Sequence, residues 1–165
     1  MPTAQTMAAD DPDLAAAVQR SRRLLHRRAL VAAAASTVPV PGLDWAVDAA
    51  LLSRLLPQIS SEFGLSAQQL DQLDPEKREK VQKAVGLVGS VLIGKLITRE
   101  LVIRATQTVG LRLTTKQLAK YVPLAGQAVS AAIGYATLRY LGEQHMQDCV
   151  RVAKEAQLQL PAPRK

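Results

Sequence analysis

His145 and Cys149 stand four residues apart, the spacing that puts two side chains on one face of a helix. An imidazole and a thiol so placed could share a metal ion or act as a base–nucleophile dyad. Neither chemistry finds its remaining parts. The other histidine, His26, lies in a block of arginines, and Cys149 is the single cysteine, which excludes a disulfide framework and a zinc site of several thiolates. Nothing near the pair marks an oxyanion hole or an activated thiol. The expectation is a chance surface pair. Gly89-Ser90-Val91-Leu92-Ile93-Gly94-Lys95-Leu96 comes close to a phosphate-binding loop, but Leu96 stands where a magnesium-binding hydroxyl is needed and no strand precedes it. That run reads as the middle of a helix, with Gly86 and Gly89 as close-packing positions. Asp44 and Asp48 read as acids at a helix start, where the dipole favours them. No catalytic residue, cofactor, metal or small-molecule substrate is expected.

The elements that would position these residues are helical. The chain has 165 residues, 48% apolar but only 3% aromatic, a composition short of the side chains that strands draw on. Residues 1–12 read as a disordered lead-in. Asp13 is placed to cap a helix reaching about Ser36, with Leu14, Val18, Ser21 and Leu25 on one face, Arg20, Arg23 and Arg27 opposite, and Arg22 and Arg28 flanking. Pro39, Pro41 and Gly42 break it. A second helix is expected from about Leu43 to Leu56, with Pro57 and Gly64 ending that region. Ser66-Ala67-Gln68-Gln69 spells a capping box, and Asp74-Pro75 opens a long helix to about Gln107. A short helix over 115–121 and a last one from Ala125 to Ala156 follow. The expected fold is all-α, a bundle of about five helices over residues 13–157 with a tail at 158–165. Two partly similar stretches, Val38-Pro39 with Gly42 and Val122-Pro123 with Gly126, suggest two helical hairpins with apolar Pro/Gly tips.

Charge narrows the partners. The net +7 gathers in residues 20–28, at +5, and residues 75–120, at +7, around an acidic stretch over 29–74. Basic blocks suit lipid headgroups, nucleic acid or an acidic protein face. Nucleic acid fits poorly, because stacking aromatics are scarce and the helix after Pro123 has no arginine or lysine before Arg139. No run gives a clean membrane span of about 20 apolar residues. Small residues at Gly126, Ser130 and Gly134 permit close helix approach, and Trp45 follows the first tip, where an indole suits a headgroup boundary. Ser21-Arg22-Arg23-Leu24-Leu25 has the look of a twin-arginine export signal, but the apolar run after it is short and the lead-in acidic.

Ala32 to Ala35, the run Val38-Pro39-Val40-Pro41-Gly42-Leu43-Asp44, Leu51-Leu52 and Glu62-Phe63-Gly64 together resemble the opening of a bacterial helical domain found in YcjF-like inner-membrane proteins and beside Era-like GTPase domains. The second half is similar to it as well, in Leu118 to Gly126 and Ala131 to Thr137. EcsC-like proteins share a looser version of this layout. The resemblance spans roughly residues 29–145 and implies a membrane-associated helical module, sometimes accessory to a GTPase, with no catalytic residues. Phe63 stands where the family pattern has tyrosine, and no GTPase domain accompanies the module.

The resulting expectation is a non-enzymatic module that binds or enters the cytoplasmic leaflet shallowly and docks a protein partner, with the capacity to self-associate. Arg20, Arg22, Arg23, Arg27 and Arg28 would meet anionic lipid or the partner. Pro39, Pro41, Gly42, Trp45, Pro123 and Gly126 would form the hairpin tips, and Gly86, Gly89, Ser130 and Gly134 would let helices pack closely. The alternative is a soluble adaptor or immunity-type protein using the same apolar and basic surface.

Overall fold

The computed structural model describes residues 2–35, 43–90, 93 and 123–161. Among them are six α-helices and no strand, so the fold is all-α. They are α1 (Ala4–Met7), α2 (Pro12–Ala35), α3 (Leu43–Glu62), α4 (Ala67–Asp71), α5 (Pro75–Val88) and α6 (Pro123–Glu155). α2, α3 and α6 pack against one another, α5 lies on α6, and α1 sits against α6 and α2.

Local chemistry accounts for most helix ends. Ser66 accepts the Gln69 N–H while the Gln69 side chain accepts the Ser66 N–H, the reciprocal box its sequence spells. Asp74 accepts the Lys77 N–H at 2.8 Å, with Pro75 in the first turn. α2 departs from expectation. Its cap is Asp11, whose Oδ1 accepts the N–H groups of Asp13 and Leu14 at 2.9 and 3.0 Å, and Pro12 takes the first position, where no N–H is needed.

α3 does not stop at Pro57 but continues to Glu62. Proline removes one ladder hydrogen bond and disfavours a helix interior by roughly 3 kcal/mol. Here Leu52, Leu55, Leu56, Ile59, Phe63 and Leu65 are all buried, and that apolar stripe runs through the proline. The helix closes as a Schellman motif: Leu65 N–H donates to Ser60 O, Gly64 N–H donates to Ser61 O, and Gly64 takes φ +72°.

α5 is shorter than expected. It ends at Val88 because Gly89 adopts φ +71° and donates its N–H to Val85 O. Gly89 is therefore a cap, and among the described residues nothing lies within 4 Å of a Cβ built at Gly86, so neither packs closely against a described helix. That role falls to Gly142 of α6, where an added Cβ would lie 2.7 and 2.8 Å from the two Leu25 methyls. Most of the phosphate-loop-like run, and the expected short helix over 115–121, lie outside the described residues.

The lead-in is helical rather than disordered. Thr3 caps α1, Ala4 and Ala8 are buried, and Met7 packs on the core. At the other end α6 closes with a second Schellman motif: Leu158 N–H donates to Ala153 O and Gln157 N–H to Lys154 O. Leu158 and Leu160 then fold back onto the core, so this part of the expected tail belongs to the bundle. Gln157 holds φ 51°, a region that side chains with a Cβ occupy at a cost of about 1–2 kcal/mol. Gln157→Gly is expected to raise stability by roughly 1 kcal/mol, read as a higher urea midpoint at unchanged slope. A lower midpoint would show that the glutamine side chain holds the end of α6.

Candidate functional site

The inward face of α2 follows its spacing: Leu14, Val18, Ser21, Leu25 and Ala29 are all buried. The five arginines divide. Arg20 Nε meets Glu62 Oε2 of α3 at 2.6 Å. Arg22 Nη2 donates to both carboxylate oxygens of Glu143 on α6, each at 3.1 Å. Glu143 Oε1 also accepts the Ala4 N–H at 2.7 Å, so this carboxylate joins α1, α2 and α6. Arg20 and Arg22 are thus held within the bundle. The periodicity of α2 marked Arg22 as a flanking residue, but the carboxylates that meet these two arginines are 42 and 121 positions away and carry no local signal.

Arg23, Arg27 and Arg28 are exposed and have no ion-pair partner among the described residues. Beyond them Leu30 and Val31 remain 52% and 62% exposed. Arg23, Arg27, Leu30 and Val31 share one outward sector at helical spacing. The neighbouring seam between α2 and α6 carries His26, whose Nδ1 lies 3.3 Å from the Tyr135 hydroxyl, and Arg139, stacked 5.8 Å from the Tyr135 ring centre.

Of the expected tip residues, Pro39, Pro41 and Gly42 lie outside the described residues. Trp45 falls in the first turn of α3, Pro123 opens α6, and Gly126, Ser130 and Gly134 follow within that helix.

His145 and Cys149 are not a surface pair. Both are buried, on the face of α6 that also carries Met146, Val150 and Val152 into the core. The Ser60 hydroxyl of α3 lies 2.8 Å from His145 Nε2, and Cys149 Sγ lies 3.7 Å from the same nitrogen. His145 Nδ1 has no hydrogen-bond partner among the described residues. Burial pushes the imidazole down to about 4, with the Leu56 backbone acting weakly the other way, so the ring is neutral at pH 7. Burial, reinforced by the Asp148 charge, drives the Cys149 thiol far above its usual range and keeps it protonated. Such a thiol is a poor nucleophile. The sequence carried the pair but not Ser60, whose part depends on how α3 lies against α6.

A surface depression of about 530 Å³ between the start of α2 and the end of α6, bordered by Asp10, Asp11, Lys154 and Gln157, does not reach this cluster. Among the described residues, no group of three or more histidine, cysteine or acidic side chains is arranged to hold a metal. None of the helices there is long and apolar enough to cross a membrane.

The class these features define is an all-α bundle with one cationic, partly apolar helix face and one buried hydroxyl–imidazole–thiol cluster. No family model, curated protein or solved structure matches the chain.

Proposed function

We propose that the chain is a non-enzymatic helical module that binds the anionic cytoplasmic face of a membrane through the outward side of α2 and docks a protein partner there. The observation behind this reading is the group of exposed cations, Arg23, Arg27 and Arg28, beside exposed Leu30 and Val31. Guanidinium groups attract anionic headgroups, and adjoining apolar side chains enter the acyl boundary, the two components of interfacial binding. The resemblance of residues 29–145 to YcjF-like and EcsC-like membrane-associated domains points the same way. Arg20 and Arg22, held by Glu62 and Glu143, contribute less, so the lipid-facing set is smaller than the five-arginine block.

Sedimentation with phosphatidylglycerol vesicles at low salt tests the reading. Each surface cation contributes about 1 kcal/mol, so the triple change of Arg23, Arg27 and Arg28 to glutamine should weaken binding roughly a hundredfold. Arg20→Gln should change it much less, and neutral phosphatidylcholine vesicles should bind little protein. If the unaltered chain stays in the supernatant with anionic vesicles at low salt, the membrane reading is wrong and a soluble adaptor takes its place.

A further inference from the structure

The Ser60–His145–Cys149 cluster takes no part in the surface that α2 presents. It sits where α3 crosses α6, and its ring has one nitrogen against a hydroxyl and the other with no partner among the described residues. We propose that His145 is an acid-sensitive latch on the α3–α6 junction, released when the ring takes up a proton that no carboxylate among the described residues is placed to balance.

The surroundings of the ring carry this inference. From α3 it meets the Ser60 hydroxyl, and from α6 the Cys149 thiol. Three acids of α3 and α6 have partners of their own: Glu62 meets Arg20, Glu143 meets Arg22, and Asp148, whose charge bears on Cys149, lies 3.8 Å from Arg151. α2 brings the buried Ser21 hydroxyl to the core, α5 brings Val81 and Ala84, and α1 brings Ala4 and Ala8. Among the described residues no acid pairs with the imidazole, whose buried surroundings include the Leu56 backbone. An imidazolium formed there would be a buried cation without a counter-ion. The chain relieves it by moving α3 away from α6 and admitting water. The α2–α6 contact has its own tie, Arg22–Glu143, and remains closed. The opening is therefore local, a minor conformer that acid makes dominant while the rest of the bundle keeps its helices.

The chain carries its own reporter. Cys149 is the sole cysteine, fully buried, one helical turn from His145. Thiol exchange slows as pH falls, because the thiolate becomes scarcer. The rate of free cysteine, measured beside it at each pH, removes that intrinsic fall, so the ratio of the two rates reports exposure. The experiment follows Cys149 labelling by methyl methanethiosulfonate, a reagent with no titratable group, across pH, with helix content followed by circular dichroism in the same samples. The expected result is a ratio of Cys149 to free-cysteine rates some tens of fold higher near pH 4.5 than near pH 7, with helix content retained. The double variant Ser60→Ala, His145→Phe removes both polar partners together, which a core tolerates better than removing one, and should keep the ratio low at both values. In a His26→Gln chain only one imidazole remains. Its titration, followed by NMR, should share its midpoint with the rise in that ratio. A ratio that stays flat in acid, that rises only as helix content is lost, or that rises equally in the double variant overturns the latch. So does a ring titration whose midpoint lies elsewhere, a readout that needs no core substitution.

Discussion

Phe63→Ala is expected to lower the unfolding free energy by about 3–5 kcal/mol, a large part of what an ordinary domain holds. Phe63 is the only phenylalanine in the chain and is fully buried. It joins Leu55, Ile59 and Leu65 of its own segment in one cluster with Val18 from α2 and Met146 and Val150 from α6. The size of the loss depends on how far the site can collapse. Phe63 immediately precedes Gly64, and the Schellman motif fixes that backbone through two hydrogen bonds. The chain cannot draw inward there without breaking them, so much of the vacated space stays open. Phe63→Leu keeps most of the volume and should lose only about 1 kcal/mol. Urea unfolding at neutral pH reads both as midpoint shifts at unchanged slope. If the alanine variant loses less than about 1.5 kcal/mol, the site repacks and Phe63 is not a centre of the core.

The parts of this fold that could be read from the sequence are those that one helix settles alone. Leu14, Val18, Ser21 and Leu25 form an inward face because helical spacing puts them together, whatever they pack against. The Ser66 box and the Asp74 cap are contacts over three residues and appear where their signals stand. Pro57 misled because its local penalty was smaller than the packing of the α3 stripe around it, which only the assembled bundle supplies. The glycines misled for a related reason. Small residues in an apolar helix suggest close packing, but Gly89 is used for its positive φ, and the close approach occurs at Gly142 against a leucine of another helix. The candidate site divides the same way. The cationic face of α2 was legible, whereas the pairing of Arg20 and Arg22 and the burial of His145 with Ser60 depend on contacts across helices.

Lowering the pH from neutral to about 4 is expected to remove roughly 3 kcal/mol of stability through His145 alone. The sign follows from proton counts. In the unfolded chain the ring titrates near 6.5, and in the folded chain burial holds it down to about 4. Between those values the unfolded state binds more protons than the native state, so stability rises with pH across that window. Above about pH 6.5 the ring is neutral in both states and the contribution is complete and flat. It disappears progressively as pH falls through the window, and below about 4 the ring is charged in both states and nothing further is lost. His145→Phe combined with Ser60→Ala should flatten this part of the stability profile without changing its neutral-pH value by more than about 1 kcal/mol. Urea unfolding of both chains at intervals from pH 7 to 4 gives the comparison. Parallel profiles would mean that His145 binds its proton equally in the folded and unfolded chain, which is incompatible with a ring buried against Ser60 and paired with no carboxylate among the described residues. The same free energy underlies the latch. Opening α3 from α6 restores water to the ring without unfolding α2 and α6, so the local opening precedes global loss of structure as acid is added. Their separation along the pH axis measures how much of the bundle's stability lies outside the α3–α6 junction.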